Sequence, residues 1–203
     1  MKKNLYFIFI AASFALLAVT PGRLAYGIPL ILELNLLLAG ASAFNELTKK
    51  IDLGDLHEIL TLAFIIFLAI FFKQLLILYS PVVALTLSFA VYLPAVSAFL
   101  LACVFSNQGN ALAKNAGLGA RFSAFAFLFF LLRDILGYGS ISLPARNGIV
   151  EALLFDSYKT SFFSLFASAP GAVMLLAACM AFLLAVQKKM NAIEKSGTGD
   201  END

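Results

Sequence analysis

Residues 59–81 read ILTLAFIIFLAIFFKQLLILYSP: an apolar run from Ile59 to Leu78 broken only by Thr61, Lys73 and Gln74, then stopped at Tyr79-Ser80-Pro81. A bilayer-crossing helix needs about 20 mostly apolar residues, and this run supplies them. Proline cannot continue a helix from the preceding turn, so Pro81 forces the chain to stop and restart. The rest of the sequence agrees with a lipid setting. Of 203 residues, 62% are hydrophobic and 13% charged, where soluble domains carry roughly 25% charge. Too few polar side chains remain to cover a water-facing surface.

Five further apolar segments flank this one: Leu5–Thr20, Gly27–Phe44, Val82–Phe105, Leu118–Leu136 and Phe162–Val186. The expected fold class is therefore all-α, a polytopic membrane protein of about six transmembrane helices. Met1-Lys2-Lys3 before Leu5 resembles a secretory leader, but Ala18-Val19-Thr20-Pro21 lacks a small-x-small cleavage pattern, so a retained first helix is expected. The first two segments are near minimum length, and Pro29, Pro94 and Pro170 fall inside or at the mouth of segments. Short or broken helices are thus predicted. The stop at Pro81 divides the six segments three and three. An odd number per half inverts the second half, the arrangement of an inverted-topology repeat. The predicted units are 1–80 and 81–190, with 191–203 a disordered tail.

Lys and Arg set the orientation. Six crossings put nine (Lys2, Lys3, Lys49, Lys50, Lys114, Arg121, Lys188, Lys189, Lys195) on one side and five (Arg23, Lys73, Arg133, Arg146, Lys159) on the other, with Lys73 and Arg133 read as helix ends. The positive-inside rule then makes both termini cytoplasmic. A net charge of +2 without a basic patch argues against nucleic acid. Trp is absent, so an interfacial aromatic belt would rest on six Tyr.

Four positions bear on chemistry. Glu33, with Asn35 nearby, lies inside an apolar segment, where a carboxylate is an ion ligand or proton carrier by default; the alternatives are loop water or a buried base such as Lys73. Arg133 and Asp134 close the fifth segment. Neighbours on a helix point about 100° apart, so each should reach a different element rather than the other; interfacial snorkelling is the plainer reading of the pair. Gly137 suits a left-handed helix stop, and Gly139 frees the turn beyond. Cys103 and Cys179 are too isolated for a disulfide scaffold and read first as packing residues. His57, between acidic neighbours, reads as a surface group. No phosphate loop, CxxC pair or nucleophile triad occurs.

The segment Leu132-Arg133-Asp134-Ile135-Leu136-Gly137-Tyr138-Gly139 resembles the LRE-(I/L)-x-G-x-G element of the Rnf/Nqr membrane subunits, the RnfA/RnfE and NqrD/NqrE group. Ser168-Ala169-Pro170-Gly171-Ala172 is similar to their last-helix PPGA element, and Leu16-Leu17-Ala18-Val19-Thr20 to a first-helix end. The interval Cys103–Gly117 matches the family's run from its second-half Cys through GRAEAFA, with Asn110-Ala111-Leu112-Ala113 in place of EAFA. The resemblance implies a multi-pass subunit, closest to the RnfE/NqrD type, in the bacterial inner membrane. It implies a complex coupling electron transfer to Na⁺ or H⁺ movement, with other membrane subunits as partners, including a related one of inverted orientation. It also implies an inter-subunit iron–sulfur centre taking one Cys from each half of each subunit, here Cys103. The sequence departs from that pattern. No Cys precedes Cys103, with Leu38 or a neighbour in the first-half position; Leu101-Ala102 stand where Thr-Asn would; Asp134 replaces Glu and Asn110 an acid. Clusters rely on thiolate ligands, so a lost or altered centre is expected. A non-catalytic subunit follows. Its competitors are a small inverted-repeat transporter or channel using Glu33, and a purely structural assembly subunit.

Overall fold

A computed structural model describes residues 16–51, 56–105, 111–146, 148–154 and 164–197. Most of the first apolar segment, Asp55, the polar run Ser106–Asn110, Lys159 and the end of the tail lie outside them. The chain is mostly helical. Among the described residues, three helices are long and apolar enough to cross a membrane: α1 (Leu24–Lys50), α2 (Leu56–Tyr79) and α5 (Ala111–Tyr138). α2 is the most apolar, with a mean hydropathy of 2.4, and at 1.5 Å per residue it is about 36 Å long, enough for the roughly 30 Å hydrocarbon layer. α1 is longer than the apolar run within it suggested. It extends three residues before Gly27 and on through Asn45–Lys50, because burial of Leu24, Ser42, Asn45 and Thr48 keeps both ends packed.

The fourth apolar segment is not one helix. It breaks into α3 (Pro81–Leu87), a 3₁₀ turn (Ala90–Tyr92) and α4 (Ala98–Val104). Ser88 holds a positive φ of 46° at the break, and Pro94 brings no N–H of its own. Local bonds satisfy the interrupted backbone, from the amides of Tyr92, Leu93 and Ser97 to the carbonyls of Phe89, Ala90 and Pro94. Ser97 then restarts the helix, its Oγ accepting from the Leu100 amide at 3.3 Å.

A second difference is β-structure in a chain expected to be all-α. Strands β1 (Ser140–Ala145) and β2 (Gly148–Leu153) pair antiparallel, from Ser140 opposite Leu153 to Ala145 opposite Gly148. Gly139, at φ 65°, ends α5 and turns the chain into β1. The left-handed stop is thus Gly139 rather than Gly137, which lies inside the helix. α6 (Ser164–Ala167) and α7 (Ala169–Gly197) follow, and α7 continues into the stretch read as a disordered tail.

Two ends organise the bundle. At the hairpin end, Ser80 Oγ, at the α2–α3 junction, donates to the Ala145 carbonyl at 2.8 Å. At the opposite end, Asn45 near the end of α1 meets the last carbonyl of α4. The broken segment therefore climbs from one end to the other, and α5 returns antiparallel to α1. The core between them is Leu30, Leu34, Leu37 and Leu38 of α1 with Phe99, Phe122, Phe129 and Phe130.

Candidate functional site

The α1–α5 seam fixes the register on which the polar side chains depend. Gly27 faces Phe130, Asn35 faces Ser123 and Ser42 faces Asn115, a steady antiparallel pairing. Asn35 Nδ2 donates to Ser123 Oγ at 2.7 Å, and Asn115 Nδ2 to Ser42 Oγ at 2.9 Å. At either end of this seam a pair of polar residues clamps the neighbouring chain.

At the hairpin end the pair is Arg133-Asp134. Arg133 is 1% exposed. Its Nε donates to the Phe166 carbonyl at 3.2 Å, Nη1 to Leu17 and Thr20 at 3.1 and 2.7 Å, and Nη2 to Ala167 and Ser168 at 3.2 and 3.3 Å. A guanidinium has five N–H groups, and here five carbonyls take them. Leu17 and Thr20 lie at the helical stretch that ends before α1, Phe166 and Ala167 at the end of α6, where carbonyls lack intrahelical donors; Ser168 opens α7, and its carbonyl also accepts from the Ala172 amide. Two glycines make room: a Cβ on Gly22 would lie 2.8 Å from Arg133 Nε, and one on Gly137 2.9 Å from the Ala167 amide. Arg133 is thus not snorkelling to an interface but joins three parts of the chain.

Asp134, one residue on, points elsewhere, as a 100° step requires. Its Oδ2 accepts from the Ser142 amide at 2.7 Å, the Ser142 hydroxyl at 2.6 Å and the Leu24 amide at 3.2 Å. Ser142 Oγ in turn accepts from the Ala25 amide at 3.1 Å. The first amides of α1 have no intrahelical acceptor, and a carboxylate there is favoured by the helix dipole. Arg23 adds an ion pair to Glu151 of β2 and lies 4.6 Å over the Tyr138 ring.

At the opposite end the pair is Asn45-Glu46, which sequence reading passed over. Asn45 Nδ2 donates to the Val104 carbonyl at 2.8 Å, and Glu46 Oε1 accepts from the Leu112 amide in the first turn of α5 at 3.3 Å. Asn115 Nδ2 also donates to the Cys103 carbonyl at 2.9 Å. The two ends correspond. The donor is Asn45 or Arg133 and the acid Glu46 or Asp134; the capped amide is Leu112 or Leu24. Each pair of equivalents is 88 residues apart (45 to 133, 46 to 134, 24 to 112). Asn35 and Ser123, which touch each other, have the same spacing.

The other expected residues fall outside these clamps. Glu33 has no exposed surface, and neither carboxyl oxygen has a hydrogen-bond partner among the described residues. Asn35 turns away from it toward Ser123 and the Ile31 carbonyl. Lys73 lies six residues inside the end of α2, and its ammonium sits 4.7 Å over the Tyr92 ring. Cys103 is a buried free thiol near the end of α4, and Cys179 a half-buried one on α7. Among the described residues, no three His, Cys, Asp or Glu side chains gather as a metal site. No protein-family model matches the chain, and no curated protein matches it.

Proposed function

We propose that the chain is a membrane subunit of an Rnf/Nqr-like ion-translocating electron-transport complex, built as two inverted three-segment halves. The reciprocal clamps carry this reading. Each long helix, α1 or α5, uses a polar donor to hold the carbonyl end of the helical segment preceding the other. The next residue, a carboxylate, caps the other's first turn. A twofold exchange of halves accounts for that reciprocity, with its axis at the Asn35–Ser123 contact. Two inverted halves are the architecture of many membrane transport proteins, where broken helices meet near the bilayer midplane. The resemblance supports the redox setting: Leu16–Thr20, Leu132–Gly139 and Ser168–Ala172 are brought together by the five bonds of Arg133. In this proposal the chain crosses a bacterial inner membrane six times with both termini cytoplasmic. It pairs with a related subunit of inverted orientation and positions helices at their interface. One buried thiol supports a subunit that contributes at most Cys103 to a shared centre, and no electron step is assigned to it.

Extraction from native membranes in mild detergent, followed by identification of the co-purifying chains, tests the proposal. Flavoprotein and related membrane subunits are expected; recovery of the chain alone would overturn it. A second reading, a small transporter of the same inverted architecture, draws on the Glu33 carboxyl, which has no hydrogen-bond partner among the described residues. Loss of uptake in Glu33→Gln, in a preparation without redox partners, would select it.

A further inference from the structure

Glu33 is the one acidic side chain in the middle of α1, and the helix geometry fixes where it points. Seven residues later Gly40 abuts α2, where an added Cβ would lie 2.7 Å from Leu68. Eleven residues later the Phe44 ring stacks on Phe64 of α2 at 4.2 Å. At 100° per residue those positions lie about 20° to either side of Glu33. The carboxyl therefore aims into the α1–α2 seam, and the same register brings the stretch Phe72–Leu76 level with it.

Among the described residues that seam offers no counter-charge. On α2 the nearest cation, Lys73, is turned to Tyr92, and His57, Glu58 and Tyr79 belong to the helix ends. On α5, Arg133 and Asp134 are committed to the hairpin-end clamp, Arg121 is exposed, and Lys114 and Tyr138 lie near the ends. Among the elements of the broken segment that pack on α1, α3 carries no titratable group and α4 only Cys103; β1 carries none. An ionised carboxylate without a partner in such surroundings costs several kcal/mol, as a rough figure, and neutralisation is the usual escape. A hard metal cation would need several oxygen ligands, and among the described residues no three His, Cys, Asp or Glu side chains gather to hold one. A proton needs only the carboxyl.

We propose that Glu33 is a proton-binding site within the α1–α2 seam: its carboxylate takes up one proton to be held there and releases it when the seam admits water. Use of that exchange to move ions rests on the function proposed above; the proton binding itself does not. Dicyclohexylcarbodiimide, which couples to protonated carboxyls in apolar surroundings, tests it on the purified full-length chain. Mass spectrometry should find the adduct on Glu33 in wild type and not in Glu33→Gln. The labelling rate should fall about tenfold per pH unit above the titration midpoint, and a water-soluble carbodiimide should leave Glu33 unmodified. Na⁺ at fixed pH should not change the rate. No adduct on wild-type Glu33, equal labelling by the water-soluble reagent, or protection by Na⁺ would each overturn the assignment. Since wild type supplies the primary signal, a poorly folded variant does not blunt the test. Because the chain is labelled alone, the outcome is separate from whether redox subunits co-purify.

Discussion

Replacing Arg133 by Lys isolates the geometry of the hairpin-end clamp from its charge. Both side chains bring one positive charge into the same buried position, so the desolvation cost largely cancels. The donors do not cancel: Arg133 fills five carbonyls, and an ammonium has three N–H groups. At least two carbonyls lose a bond to a charged donor, each worth roughly 1.5–3 kcal/mol. The loss is then about 3 kcal/mol or more, which for a chain of this size lowers the melting temperature by roughly 6–12 °C. Thermal unfolding in detergent followed by far-ultraviolet circular dichroism reads this directly; the absence of Trp makes intrinsic fluorescence a poor probe. An Arg133→Lys variant that melts with wild type would refute the five-carbonyl account.

The reciprocal clamp predicts a smaller effect for Asn45→Ala, about 1–2 kcal/mol for one bond to the Val104 carbonyl, adding to the Arg133→Lys loss because the sites lie at opposite ends of the seam. Asp134→Ala leaves the Ser142 and Leu24 amides without their acceptor, so hydrogen exchange should quicken in the hairpin and the first turn of α1 while the middle of α2 stays protected. Gly27→Val drives a side chain into the Phe130 ring and should cost about 1–3 kcal/mol by overpacking; Phe130→Leu should recover part of it, and additive losses would argue against that contact. Cysteines at Asn35 and Ser123 should cross-link on mild oxidation, since the native side chains touch; failure in a folded variant would contradict the α1–α5 register.

The long helices are the part of the fold that hydropathy makes legible. α2 can be read from Ile59–Leu78 because nothing in that run competes with a buried helix. The fourth segment is harder, since apolar content is the same for a straight helix and a broken one. What breaks it is local: Pro94 lacking an N–H, and Ser97 able to cap a new start. The hairpin has a local signal of its own. Asn147-Gly148, between Ile141-Ser142-Leu143 and Ile149-Val150, marks a turn by composition, and an all-helical expectation leaves no place for it.

Arg133-Asp134 stands out as charge against an apolar background, whereas Asn45-Glu46 lies just past Phe44, where the apolar run of the second segment ends. The asymmetry has a physical cause. At the hairpin end the clamp also gathers the α6–α7 junction, so it needs a fork of five donors buried from water, and only Arg supplies that. At the opposite end a single carbonyl must be held, and an amide suffices. In the two-half arrangement proposed above, equivalent positions would carry unlike residues, and a repeat enforced by backbone bonding would leave little trace in side-chain identity. The trace to look for is backbone instead: which groups each helix end leaves unpaired, and which side chain, at a fixed spacing, answers them.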